Sequence, residues 1–122
     1  MDLIVLCGGK GARLKPLTDE IPKALVELDG KPMIDHIIDA YSTKGISNYF
    51  VCIGYKGGLI RNHLKDKQNI SFVDSGEEAS MLERICDAVK QTNETAIVTY
   101  GDTITNIDFI DLMRHHTKSG SL

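Results

Sequence analysis

The stretch Leu6-Cys7-Gly8-Gly9-Lys10-Gly11-Ala12-Arg13-Leu14, followed by Pro16-Leu17-Thr18 and Pro22-Lys23-Ala24-Leu25, carries the residue types that hold phosphate. Gly8, Gly9 and Gly11 let backbone N–H groups approach an anion closely, since no Cβ intervenes and positive φ costs little. Arg13 adds a planar fork of donors and Lys23 a compact point charge. The stretch therefore reads as a phosphate-binding loop with two fixed cations. A glycine cluster after a strand also serves as an ordinary tight turn, and the glycines alone leave both readings open. The spacing is not that of the dinucleotide fingerprint, because Leu14 stands where its third glycine would be, and no Gly-Lys-Ser/Thr of a P-loop follows.

The elements that must position these residues alternate between strand and helix. Leu3 to Cys7 is a short apolar run bounded by glycines, which predicts a buried first strand with the loop at its carboxyl end, where open α/β sheets bind ligands. Ala24 to Leu28 reads as extended and ends in an Asp29-Gly30 turn. Pro32 opens a helix through Ile34, Ile37, Ile38 and Tyr41 that Gly45 stops. Strands are expected at Tyr49 to Ile53, Ile70 to Val73 and Ala96 to Tyr100, with a short helix over Leu59 to Leu64. A further helix from Ala79 is expected to bury Met81, Leu82, Ile85 and Val89, with Met81 in the core. A last helix follows Asp108 as its cap, with Phe109, Leu112 and Met113 inward. This alternation implies a mostly parallel sheet covered on both faces.

Gly101-Asp102 follows the last apolar strand directly, so a carboxylate is expected at the same sheet edge as the glycine loop. Asp74 follows the third strand at that edge too, but Asp-Ser-Gly is ordinary turn chemistry and it is left out of the site. His115 and His116 are adjacent, so on a helix they point about 100° apart and cannot chelate one ion. His36 and His63 lack partners in sequence, and all four histidines are expected to be structural or exposed.

Composition fits one small domain: 122 residues, 42% of them hydrophobic, can bury a single core. A formal net charge of −3 argues against a nucleic-acid-binding surface, so any phosphate affinity must be local. Cys7, Cys52 and Cys86 form no zinc or disulfide pattern, and each is expected to act as a small buried hydrophobe. No apolar segment approaches the roughly 20 residues that span a bilayer, so no membrane partner and a cytoplasmic location are expected.

The run from Cys7 to Ile38 resembles the opening of the sugar-1-phosphate nucleotidyltransferases. The match is carried by Gly8-Gly9-x-Gly11-x-Arg13-Leu14, Pro16-Leu17-Thr18, Pro22-Lys23 and Gly30-Lys31-Pro32-Met33. Within that family the chain is most similar to the glucose-1-phosphate cytidylyltransferases. Ala40-Tyr41-Ser42, Gly45-Ile46, Gly54-Tyr55-Lys56-Gly57, Val73-Asp74-Ser75-Gly76 and Thr99-Tyr100-Gly101-Asp102 carry that closer likeness, which covers essentially the whole chain. The resemblance implies an α/β, three-layer Rossmann-like fold with a mostly parallel sheet, cut short at its C-terminus. Residues 1–122 would be the N-terminal, nucleotide-binding part of a nucleotidyltransferase domain.

The implied reaction is transfer of a nucleotidyl group, cytidylyl by the closer likeness, from a nucleoside triphosphate to a sugar 1-phosphate with release of pyrophosphate. The resemblance gives nucleotide binding to Leu6, Gly8, Gly9, Lys10, Gly11, Arg13, Lys23 and Gly101. Arg13 would hold the β and γ phosphates, Lys23 would bridge the α-phosphate and the incoming sugar phosphate, and Asp102 would bind Mg2+.

Two departures stand out. Between Gly76 and Met81 the chain has only Glu77-Glu78-Ala79-Ser80, where the cytidylyltransferases carry a longer segment with a Thr-Gly-Gly that helps hold the base, and their insertion before Val73 is missing. Family members also continue beyond Gly120-Ser121-Leu122, where a next strand is expected to start. The alternative to an enzyme is thus a truncated nucleotide-binding or regulatory module without complete catalysis, whose unpaired edge would favour a homo-oligomer. A dinucleotide-binding oxidoreductase domain is a third class. It needs an acidic residue near the end of the second strand, and Val51-Cys52-Ile53-Gly54 offers none.

Overall fold

A continuous apolar run near the N-terminus forms β1 (Asp2–Leu6), the strand around which the sheet is built. The computed structural model describes residues 1–93 and 95–120. After β1 come β2 (Glu27–Leu28), β3 (Lys31–Pro32), α1 (Met33–Ser42), β4 (Asn48–Ile53), α2 (Gly57–Leu64), β5 (Ile70–Asp74), α3 (Met81–Val89), β6 (Ala96–Tyr100) and α4 (Phe109–Ser119). The main sheet has the order β5-β4-β1-β6, and each pairing in it is parallel. β2 and β3 form a separate antiparallel pair, joined by Asp29 and Gly30 at φ 54 and 74. Positive φ at both central residues is what a tight two-residue hairpin turn demands.

Three layers result. Leu3, Val5, Val51 and Ile53 face Ile34, Ile37 and Tyr41 of α1, Ile60 and Leu64 of α2, and Phe109 of α4. Their sequence neighbours Ile4, Phe50 and Cys52 face the other way and meet Val73 of β5 and Ala88 of α3. Successive residues alternate between two buried faces, which is why these strands read as continuous apolar runs. Of the described residues, none lies in a helix long and apolar enough to cross a membrane.

The phase of α3 differs from its sequence pattern. The helix starts at Met81, not Ala79. Ser80 Oγ accepts from the Glu83 N–H and the Glu83 carboxylate accepts from the Ser80 N–H, a capping box that fixes where the helix begins. That start turns Arg84 and Ala88 to the sheet, and leaves Met81, Leu82 and Val89 at 50, 69 and 49% exposure. Met81 is therefore not a core residue. In α4 only Phe109 is buried; Leu112 is exposed because no described element packs over that side of the helix. Ala24 and Leu25, expected to begin the extended piece that runs to Leu28, lie instead in a 3-10 turn, Lys23–Leu25. Among the described residues β6 is an edge strand with Val98 and Tyr100 exposed. The strand start expected at Ser121 and Leu122 lies outside the described residues.

Cys86 is exposed, contrary to expectation, whereas Cys7 and Cys52 are buried. Burial pushes the Cys52 thiol up to about 11 and raises that of Cys7 further. Only Cys86 is expected to react promptly with a thiol reagent on the folded chain at pH 8, with Cys7 and Cys52 following in denaturant. Prompt modification of all three without denaturant would contradict this packing.

Candidate nucleotide site

β1 and β6 are parallel neighbours, with Leu6 opposite Tyr100, so the loops that follow them leave the sheet side by side. Here the strand order reverses: β4 and β5 extend from one side of β1, and β6 lies on the other. That is the switch point at which open α/β sheets take ligands. The Gly101 N–H donates to Leu6 O at 2.9 Å. A Cβ on Gly101 would fall 2.6 Å from Cys7 Sγ, so glycine is what lets the two loops close up and bring Asp102 beside the glycine loop.

Gly11 is the glycine of the loop that needs a positive φ, at 62°. Thr18 Oγ1 donates to Gly11 O at 2.7 Å, and the Tyr55 hydroxyl donates to Thr18 O at 2.6 Å. The Pro16-Leu17-Thr18 segment thereby anchors the loop. Pro22 then leads into the 3-10 turn that carries Lys23. The Lys23 ammonium forms an ion pair with the Asp102 carboxylate across the junction of the two loops. On the opposite wall Lys10 Nζ meets Glu78 at 3.1 Å and Glu77 at 4.0 Å. The Glu78 hydrogen bond and charge raise the Lys10 pKa.

These groups border an open cleft of about 790 Å³. Leu6, Gly8, Gly9, Lys10, Gly11, Lys23, Gly101 and Asp102 all line it. Arg13 does not: it sits exposed on the 3-10 turn Ala12–Leu14, beyond Gly11, because that turn carries it away from the wall. Sequence reading missed Arg84, Met81 and Tyr100, which also line the cleft; the Tyr100 hydroxyl reaches Met81 Sδ at 3.6 Å. The Ser80-to-Glu83 capping pattern was the available signal, since it sets the helix phase that turns Arg84 inward. Asp74 is ordinary turn chemistry, accepting the Gly76 N–H at 3.0 Å. His63 pairs with Asp35 at 2.8 Å and His36 with Leu28 O at 2.7 Å, outside the cleft.

The cleft is formally neutral. Its three cations, Lys10, Lys23 and Arg84, are equalled in number by the acids Glu77, Glu78 and Asp102, which pair with the two lysines. A polyanion entering it must displace a carboxylate or bring its own cation. Glu78→Gln is expected to free Lys10 and tighten nucleoside triphosphate binding by about 3-fold at low salt, checked by equilibrium titration. Unchanged affinity would show that Lys10 does not face the phosphates.

Comparison with known proteins shows the family. Residues 3–122 match the family model described as nucleotidyl transferase. The chain is 31% identical to a glucose-1-phosphate cytidylyltransferase of Salmonella typhimurium, over all of this chain and 59% of that protein. It is 32% identical to a UTP–glucose-1-phosphate uridylyltransferase of Haloferax volcanii, over 97% of this chain and 50% of that protein. The crystal structure of HddC from Yersinia pseudotuberculosis complexed with GMP-PN superposes with a TM-score of 0.84 at 27% identity, over 94% of this chain and 53% of that chain. The chain thus spans between half and three fifths of the length of these relatives. The Salmonella alignment runs over 153 positions for the 122 residues here, so that relative carries additional residues inside the matched region.

Proposed function

The chain belongs to the nucleotidyl transferase family, and from that premise we propose that its cleft binds a nucleoside triphosphate and serves transfer of the nucleotidyl group, cytidylyl first, to a sugar 1-phosphate with release of pyrophosphate. The observation that carries this reading is the Lys23–Asp102 pair at the mouth of a glycine loop, at the switch point of a parallel sheet. The chain is read as the nucleotide-binding part of such a domain.

In this reaction an oxygen of the sugar 1-phosphate attacks the α-phosphorus. The bond from that phosphorus to the α–β bridging oxygen breaks, and pyrophosphate leaves with the electron pair. The attacking oxygen is already anionic, so neither a strong base nor a covalent nucleophile is required. The buried Cys7 thiol, whose pKa burial and then the charges of Cys52 and Asp102 raise, stays protonated and takes no part. What must be overcome is the mutual repulsion of two polyanions and the charge that builds on the α-phosphate and pyrophosphate. The N–H groups of Gly8 to Gly11 receive the triphosphate, and Lys23 bridges its α-phosphate and the incoming phosphate. Arg13, exposed just past Gly11 and outside the cleft lining, is assigned to the β and γ phosphates where they project past the glycine loop.

Asp102 is the residue that would hold Mg2+. One carboxylate completed by phosphate oxygens and water suits that ion, and no group of three His, Cys, Asp or Glu among the described residues offers a closed metal cage. The cleft's neutrality fits the same requirement, since the phosphates need added positive charge. When bound, Mg2+ supplies that charge.

The test is pyrophosphate release from CTP, UTP, dTTP, ATP and GTP, each with glucose 1-phosphate and Mg2+. Turnover that prefers one nucleotide is the expected result. A second reading, a nucleotide-binding or regulatory module without turnover, is favoured by one observation: the two lysines lining the cleft, Lys10 and Lys23, are each already paired with an acid. Saturable nucleotide binding without pyrophosphate release would select that reading. Absence of both would overturn the two together.

A further inference from the structure

Arg84 lines the cleft but takes no part in the phosphate contacts of the glycine loop, Lys23 or Asp102. It is the fourth residue of α3, only 5% exposed, with no carboxylate in ion-pair range among the described residues. A buried cation without a counter-charge is costly, so something else must compensate it. Its Nη1 donates to Ile53 O at 2.8 Å, at the end of β4, and its Nη2 donates to Glu77 O at 3.0 Å, in the segment before α3. The guanidinium also presses on the glycine loop. A Cβ on Gly8 would fall 2.0 Å from Nη1 and 2.3 Å from Cζ, and one on Gly54 would fall 2.5 Å from Nη1. Gly8 O in turn accepts the Tyr55 N–H at 3.2 Å. Three loops, after β1, after β4 and before α3, therefore meet on one planar cation that also borders the cleft.

We propose that Arg84 is a positioning residue of the phosphate site: it seats Gly8 and ties the glycine loop to the Glu77 segment, so that the loop's N–H groups are set before an anion arrives. The bound phosphates supply the counter-charge that the protein withholds. Gly8 and Gly54 are glycines because a side chain at either position would occupy the space of the guanidinium. Lysine cannot substitute fully, since a single ammonium lacks the fork that reaches two carbonyls from one plane. The inference rests on the phosphate-site reading of the cleft.

The test joins amide hydrogen exchange of the ligand-free chain to calorimetric titration with inorganic tripolyphosphate and Mg2+, for wild type, Arg84→Met, Arg84→Lys, Gly8→Ala and the Gly8→Ala/Arg84→Met double variant. In Arg84→Met the amides of Gly8 to Gly11 are expected to exchange about 10-fold faster and tripolyphosphate to bind about 10-fold more weakly, as for one lost charged hydrogen-bond pair. Exchange in β1 and β4 should hold, and Arg84→Lys should recover part of both losses. Gly8→Ala displaces the guanidinium without removing it and should give the same loop-confined change, with the double variant no worse than either single one. Wild-type loop exchange in a folded Arg84→Met chain would overturn the proposal, and so would full additivity in the cycle. If Arg84→Met does not fold, wild-type loop exchange in Gly8→Ala overturns it alone. Failure of the wild-type chain to bind tripolyphosphate would instead refute the phosphate-site reading, while the exchange comparison still decides whether Arg84 seats the loop.

Discussion

Asp102→Ala is expected to lower Mg2+-dependent nucleotidyl transfer by roughly 10³ and to invert the effect of Mg2+ on nucleotide binding. In the wild-type chain the Asp102 carboxylate is paired with Lys23, and the charges of the cleft cancel. Without metal, that carboxylate repels an incoming triphosphate and withholds Lys23 from it. Removing it should tighten metal-free binding by about 3-fold to 10-fold, the scale of a partly exposed charge contact. With Mg2+ present the order reverses, because the variant has lost the group that would hold the ion. Titrating both proteins with and without Mg2+ reads this crossover directly. An Asp102→Ala chain that keeps Mg2+-stimulated transfer would remove Asp102 from the metal role.

Lys23→Ala is expected to lower turnover by roughly 10² to 10³ at saturating nucleotide, the range for losing one preorganised charge-stabilising donor. The side chain is 38% exposed and packs in no core cluster, so the loss should appear in kcat rather than in thermal stability. Lys23→Arg should recover little. A planar fork cannot replace a point charge placed between two phosphates, and the 3-10 turn from Pro22 fixes where the side chain begins. Steady-state pyrophosphate release separates the outcomes: near-normal kcat in Lys23→Ala would sink its bridging role.

The parts of the site written in chain order were legible in the sequence. The first strand, its glycine loop and Gly101-Asp102 are each a short apolar run ending in small residues, and the strand order then brings the two ends together. Arg84 was legible only through the Ser80-to-Glu83 capping pattern, because a charged residue in a helix ordinarily reads as solvent-facing. Only the close approach of Gly8 and Gly54 and the capping box at Ser80 reveal that it points inward. The same helix phase undid the expectation for Met81, which moved from core to cleft wall. Arg13 illustrates the converse. Its spacing in the motif was clear, but a 3-10 turn beyond Gly11 carries it to the surface, away from the cleft lining. Exposure of Val98, Tyr100 and Leu112 could not be read from periodicity, which marks an apolar face without saying what covers it.

The most direct measurement is calorimetric titration of the folded 122-residue chain with CTP, UTP, dTTP, ATP and GTP, each with and without Mg2+. Saturable binding that prefers one base, strengthens with Mg2+, and loses that strengthening in Asp102→Ala is the expected result. A folded chain that binds none of the five, or binds them equally well in wild type and Asp102→Ala whatever the metal, would contradict a nucleotide site between the glycine loop and Asp102.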